Sequence, residues 1–480
     1  MKLRPDTGLS FDDVLLVPKH SYARSRKDVS TTTRLAGGIE LAIPIISANM
    51  DTVTEARMAI VMAQQGGIGI LHRFMTIERQ VEMVRRVKRA ENVVVNNPVT
   101  ISPEASVDQA RQKMAEAEVG GLMVTDPEQV LVGVVTTRDV LLAQDGSAPV
   151  SSVMTPIERL VVAASNESLE KARLTLHNHR VEKLPLVDEH GHLVGLITSQ
   201  DLIKIQEHPN ATKDTRGRLR VGVALGVRPE DVDRAAVCVE AGADVLVVDI
   251  AHGHSEHTLD MIRRLKGAFP NVPVIAGNVA TADGVRDLAG AGADAVKVGV
   301  GSGSICITRV VTGFGVPQLT AISDCAVAGH ALNVPIIADG GIRKSGDLTK
   351  ALAAGASTVM VGSILAGTEE SPGAPIVRDG RRFKVVRGMA SLTANIDRRA
   401  IDQGQVADED WADVVPEGVE GMVPFRGGVS DILHQLVGGL RSGLSYAGAR
   451  DIVDLWNKAE FIRITSGGLR ESGAHDMIPN

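Results

Sequence analysis

The chain has 480 residues, more than one ordinary domain needs and enough for a large barrel carrying an insert. Hydrophobic residues make up 44% and charged residues 23%, and the formal net charge is -7 without a long run of one sign. That balance speaks against nucleic-acid binding as the main role, yet leaves an anionic substrate open, since backbone N–H groups can hold a phosphate locally. The N-terminal MKLRPDTGLSFDD has no apolar core, and no apolar run reaches a membrane span, so a cytoplasmic protein is expected. The three cysteines, Cys238, Cys306 and Cys325, form no CxxC pair. A zinc site and a disulfide framework are thereby set aside, and a reducing compartment fits.

Along the chain, residues 1–93 carry short apolar runs and a basic cluster, Arg24, Arg26 and Lys27, which reads either as a solvated face or as an anion contact. Residues 94–205 repeat themselves. Gly133-Val-Val-Thr-Thr-Arg-Asp-Val140 matches Gly195-Leu-Ile-Thr-Ser-Gln-Asp-Leu202, 62 positions on (133 to 195). A two-copy repeat with polar, Pro- and Asn-containing flanks reads as an inserted domain of two halves, 94–149 and 150–205, that bury their faces on each other. From Val221 onward, apolar strands alternate with helical stretches, as in GADVLVVDIAHGHS, VPVIAGNVATADG and VPIIADGGIRKSGD. Continuous Val/Ile/Ala runs are strands buried on both faces, and the rhythm implies a parallel sheet. An open doubly wound sheet is the rival. A (β/α)8 barrel built from 1–93 and 206–480 is preferred, because candidate site residues follow many different strands. Aromatics are only 2%, so the core must be Val, Ile, Leu and Ala. The polar stretch DRRAIDQGQVADEDWADVVPEG reads as a flap or a long surface loop.

The sharpest feature is the strand AVKVGV running into Gly299-Val-Gly-Ser-Gly-Ser-Ile-Cys306-Ile-Thr308-Arg309. Glycines allow a sharp turn that aims backbone groups at a small ligand. A thiol just after a barrel strand faces the end where chemistry is done, and a neighbouring cation would favour its reactive thiolate. The bland alternative is a structural cysteine beside a phosphate loop; Cys238 and Cys325, in apolar helical stretches, read as core. Asp339-Gly340-Gly341 and Gly362-Ser363 follow two later strands and, with Ser304, suit a phosphate. Asp339 itself would repel phosphate and suits ribose hydroxyls.

GSGSICITRVVTGFGVPQ closely resembles the active-site loop of the IMP dehydrogenase/GMP reductase family, and FDDVLLVPKHS, PIISANMDTVTE, GGIGILHR, VRGMAS, PEGVEG and RESGAHD resemble further family segments. The resemblance covers nearly the whole chain. It implies that Cys306 attacks purine C2 and that a nicotinamide cofactor exchanges hydride there. It further implies that Arg387, Gly388 and Met389 join Ser304, Asp339, Gly340, Gly341, Gly362 and Ser363 around the nucleotide, and that Asp249, Ala251, Gly299 and Gly301 meet the cofactor. Carbonyls of Gly301, Gly303 and Cys306 would hold a monovalent cation such as potassium, completed by a neighbouring subunit's Glu471, Ser472 and Gly473. The insert resembles the paired cystathionine-β-synthase-type (CBS) domains of the family, with Thr136/Asp139 and Thr198/Asp201 as ribose contacts for ATP or GTP; as bare sequence the same pairs are helix caps. A homotetramer, or an octamer joined through the inserts, is the family's assembly.

Two activities share that covalent intermediate. Dehydrogenases oxidise IMP and hydrolyse it to XMP, using an Arg-Tyr pair on the flap to activate water. Reductases expel ammonia from GMP and reduce the intermediate to IMP. The two tyrosines here are Tyr22 and Tyr446, both outside the flap, whose matching place reads Asp397-Arg398-Arg399. Thr308 and Glu417 match the family's Thr–Glu acid/base relay. Ser25, Arg26 and Arg73 suit a 2′-phosphate, hence NADPH, with NAD the alternative. Against this stand the insert, which the usual reductases lack, the retained Arg398, and Val386 where the family has Tyr. An NADPH-dependent GMP reductase is the expectation, with IMP dehydrogenase and a non-catalytic purine-nucleotide sensor as alternatives.

Overall fold

The computed structural model describes residues 3–91, 95, 98–117, 119–165, 167–199, 207–403 and 415–473. Eight parallel strands close a barrel: β1 (Ile45–Ser47), β2 (Ile68–Leu71), β3 (Val221–Leu225), β4 (Val245–Asp249), β5 (Val274–Val279), β6 (Ala295–Val298), β7 (Ile336–Asp339) and β8 (Thr358–Val361), with β8 returning to pair with β1. Each strand is followed by a helix, from Ala56–Gln64 after β1 to Val429–Tyr446 after β8. The open-sheet alternative is thereby excluded.

Side chains alternate across the wall, since successive residues of a strand face opposite ways. Inward-facing Ile46, Ile70, Val247, Ile275, Ile337 and Met360 form one buried cluster. Their outward neighbours pack under the helices, where Cys238 and Cys325 are also fully buried. Burial pushes the Cys238 thiol up to about 11 and the Cys325 thiol up to about 12, so neither is nucleophilic near neutrality. A hairpin, Thr33–Ala36 with Ile39–Leu41, adds Leu35 and Leu41 to the inner cluster. It caps the N-terminal end of the barrel, where the Thr33 hydroxyl donates to the Ser357 carbonyl at 2.7 Å just ahead of β8. The opposite end is left for the loops.

The chain divides into two compact units, residues 91–209 with 215–218 forming the second. At the neck, the nearly buried Lys88 ends a barrel helix and donates to Asp214 at 3.1 Å and Asp244 at 2.6 Å, all three belonging to the barrel unit. In the second unit the 62-residue repeat is visible in structure. Helix Val107–Glu116 corresponds to Leu169–His179, and the pair Gly121–Thr125/Leu131–Thr136 to Lys183–Val187/Leu193–Thr198. Even the register irregularity recurs, at Val124/Thr125 and at Leu186/Val187. The halves exchange reciprocal backbone bonds, Leu131 N–H to Gly191 O and Leu193 N–H to Gln129 O, both 3.1 Å. Met123, Leu131, Val134 and Leu196 are buried between them.

Candidate active site

Glycine brings the loop after β6 against the loop after β7. A Cβ on Gly299 would lie 1.9 Å from the Asp339 carbonyl oxygen, so only glycine permits that approach. Gly340 adopts φ +103° and would carry a Cβ 2.4 Å from Ser302 Oγ. Cys306 is then stitched to the far side of the flap. Ile307 N–H donates to Glu417 O at 2.8 Å, Val419 N–H to Ile305 O at 3.0 Å, and Gly388 N–H to Val419 O at 3.0 Å. Three segments remote in sequence are thus fixed by backbone bonds around one thiol.

That thiol is half-buried and lies 3.1 Å from Thr308 Oγ1, which donates to Glu417 Oε2 at 2.7 Å. A hydroxyl has one proton, and a carboxylate can only accept. With its proton given to Glu417, Thr308 is left to accept from the thiol. The result is a continuous path for a proton from Cys306 to Glu417. Arg309, the cation expected to favour the thiolate, instead braces the loop: its Nη2 donates to Val316 O at 2.6 Å and its stem packs over Gly301 and Gly315.

Two lobes adjoin the cysteine loop, sharing Ser302, Gly303, Ile305 and Gly340, and Cys306 lines the larger. One, about 280 Å³, is lined by Ser304, Gly340, Gly341, Gly362 and Ser363, with Arg309 and with Arg343 paired to Asp12. The other, about 480 Å³, is lined on one side by Arg73, Asp249, Ala251, Gly299, Gly301 and Gly303, and on the other by Gly388, Met389 and Glu417. Asp339 lines both.

Beneath the cleft lies a group that sequence reasoning misses. Lys297 sits on β6 facing inward, 1% exposed, with Nζ 3.0 Å from Asp249 Oδ1 and 2.6 Å from Asp339 Oδ2. Burial alone would lower its pKa; the two carboxylates outweigh that and hold the ammonium well above its usual value. Asn278 Nδ2 also donates to Asp339 Oδ2, at 2.9 Å, and to the Gly299 carbonyl at 2.9 Å. A lysine inside an otherwise apolar strand is the available signal, because a buried charge must be paired.

Three groups of expected site residues lie away from both lobes in a single chain. Arg387 lines neither lobe; its guanidinium is taken by Asp51 and by Asp397. Ser25 and Arg26 also lie off the cleft, at a short turn where Ser25 Oγ accepts from Lys27 N–H at 3.2 Å and Asp28 accepts from Arg24 and Ser25. Glu471, Ser472 and Gly473 end the helix Ser466–Glu471 and line neither lobe. In the second unit, Thr136 N–H and Oγ1 both donate to Asp139 Oδ2, at 2.8 and 2.7 Å, so this pair is a closed helix cap. Thr198 ends the equivalent strand; Asp201 lies outside the described residues. Among the described residues no His/Cys/Asp/Glu group could hold a metal ion, and no helix is long and apolar enough to cross a membrane.

A closed (β/α)8 barrel with a cysteine on the loop after its sixth strand, a Thr–Glu path behind that cysteine and a two-lobed cleft defines a barrel enzyme built for nucleophilic chemistry by a thiol. The family model for the IMP dehydrogenase / GMP reductase domain matches residues 8–475, and the chain belongs to that family. Its members are oxidoreductases that act on IMP or GMP with a nicotinamide cofactor. The inosine-5′-monophosphate dehydrogenase of Nitrosopumilus maritimus is 54% identical over 472 residues, 98% of each chain. The GMP reductase of Leishmania major is 51% identical over 480 residues, 98% of this chain and 97% of that one. A crystal structure of a cysteine-to-alanine variant of the GMP reductase from Trypanosoma brucei, in complex with guanosine 5′-monophosphate, is 47% identical, covers 98% of both chains and superposes with a TM-score of 0.91. The GMP reductase of the same organism with guanosine 5′-triphosphate matches at 43% identity, 96% and 98% coverage and a TM-score of 0.81. A reductase can therefore match this chain end to end, and the insert is no mark of a dehydrogenase.

Proposed function

We propose that this chain is a GMP reductase, converting GMP to IMP and ammonia with NADPH. The observation that carries the reading is the chemistry beside Cys306: an acid/base path through Thr308 to Glu417, and a flap sequence without tyrosine to activate water. Cys306 Sγ bonds to C2 of GMP as its proton moves along Thr308 to Glu417. The same path returns a proton to the departing amine, the C–N bond breaks, and a thioimidate remains. The nicotinamide cofactor, when bound, supplies a hydride to C2; the C–S bond then breaks, leaving IMP and the thiolate. One hydride and one proton are consumed per ammonia released. The 280 Å³ lobe, with its turns at Gly340-Gly341 and Gly362-Ser363, suits the nucleotide phosphate. Asp339, whose two side-chain bonds both fall on Oδ2, keeps Oδ1 for ribose hydroxyls. The larger lobe fits a dinucleotide, and the buried, unpartnered Asn278 Oδ1 there suits a carboxamide N–H.

Ser25 and Arg26 would reach a 2′-phosphate only across a subunit boundary, and Glu471–Gly473 would likewise complete a potassium site on a neighbour's Gly301, Gly303 and Cys306 carbonyls. Both fit a homotetramer. The 62-residue repeat, read as a CBS pair, would bind ATP and GTP and set activity without taking part in the catalysis itself, and pairing of these inserts would join tetramers into an octamer. The guanosine triphosphate complex of the trypanosomal relative supports nucleotide control. The rival, an NAD-dependent IMP dehydrogenase, is favoured by Arg398, which lines the cleft and could serve as base. The test is NADPH consumption with GMP and potassium, beside NAD reduction with IMP. IMP and ammonia are expected; XMP with NADH would overturn the reading.

A further inference from the structure

Arg387 joins three separate parts of the barrel mouth. It ends the strand Arg381–Arg387, and its Nε donates to Asp51 Oδ2 at 2.7 Å, with Nη2 on the same oxygen. Nη1 reaches forward to the helix Leu392–Gln403, to Asp397 Oδ2 at 2.7 Å and Thr393 Oγ1 at 3.1 Å. That helix carries Asn395 and Arg398 into the cleft above Cys306. Positions 395 and 398 share a face, whereas 397 is turned roughly 100° from 398 about the axis. Drawing Asp397 to Arg387 therefore fixes which face looks at the thiol. The two anchors differ: the Asp51 side chain is 8% exposed and that of Asp397 is 53% exposed. Water and salt weaken the second pair far more than the first. We propose that Arg387 is a positioning residue that latches this helix over Cys306, with Asp51 as the fixed anchor and Asp397 as the releasable one. The planar guanidinium fork is what allows one side chain to hold both. The inference goes beyond the reductase reading, because either direction of the chemistry needs the same residues over the thiol.

The test is alkylation of Cys306 by iodoacetamide in the full chain, followed by mass spectrometry, which requires no turnover and so fails independently of the reductase assignment. Cys238 and Cys325, fully buried, serve as internal controls. Asp397→Asn should raise the Cys306 rate about two- to five-fold, the factor a partly exposed ion pair contributes. Asp397→Glu should restore the slow rate, and Arg387→Lys, with its charge but not its fork, should fall between. Added salt should speed the wild type and leave Asp397→Asn unchanged. In turnover, Asp397→Asn should lower kcat and leave the KM for the purine nucleotide alone. A wild-type alkylation rate in Asp397→Asn would overturn the proposal, as would faster labelling of Cys238 and Cys325 alongside Cys306, which would mean general loosening.

Discussion

Replacing Thr308 by Val keeps the shape of the side chain and removes only the hydroxyl between Cys306 and Glu417. Two short contacts disappear, 3.1 Å to the thiol and 2.7 Å to the carboxylate. Without the hydroxyl, the thiol proton has no relay and Glu417 cannot return one to the departing amine. A hydrogen bond to a charged group is worth about 1.5–3 kcal/mol, and if it is realised only in the transition state the loss appears in kcat as about ten- to 150-fold. GMP binding should hold, since the lobe proposed for its phosphate is not lined by Thr308. Rapid-quench kinetics would separate ammonia release from hydride transfer; the ammonia step should slow and the hydride step should not. A kcat within about twofold of wild type, or a change confined to KM, would refute the proton path.

Cys306→Ala should abolish turnover while GMP binding, read by calorimetry, persists; a protein acting only as a nucleotide sensor would lose neither its binding nor its behaviour. Lys297→Met leaves the partly buried Asp249 and Asp339 without their shared cation, and a denaturant melt should show a loss of about 1–3 kcal/mol. The Arg343 hydrogen bond at 2.6 Å holds the Asp12 carboxyl below its usual value of 3.8. A depressed folded pKa means that its stabilising effect is complete above that value and disappears as pH falls through the folded one. Asp12→Asn should therefore lower Tm at pH 7, with the difference from wild type shrinking as pH falls below the ordinary carboxylate range. Arg399→Tyr rebuilds an Arg-Tyr pair on the flap and should divert part of the intermediate to XMP, measurable by chromatography; no XMP would count against water activation as the point where the two reactions part.

The barrel is legible in the sequence because its strands are short runs of Val, Ile and Ala buried on both faces, and the cysteine loop because its glycines and thiol follow such a run directly. Thr308 and Glu417 are legible only through resemblance, since 109 residues separate them. Lys297 stands in the sequence as one charge in AVKVGV, but only the strand register turns it inward between two carboxylates. Arg387 reads as a nucleotide contact through the resemblance of VRGMAS, whose Gly388 and Met389 do line the cleft; its actual partner, Asp51, is 336 residues away, and no local pattern announces such a pair. Ser25 and Arg26 show a different limit. The structure places them at a local turn away from the cleft, which the basic cluster in the sequence does not reveal.

Lys88 has a consequence for how this architecture could arise. Its ammonium ties the place where the chain leaves the barrel to Asp214, on the way back in, and to Asp244, ahead of β4. Three charges of the barrel unit meet at this seam, one where the chain leaves and two where it has returned. A module spliced in at such a point imposes no debt on its host. An insertion between Lys88 and Asp214 can keep this ion cluster intact, so the join itself does not dictate what is inserted there.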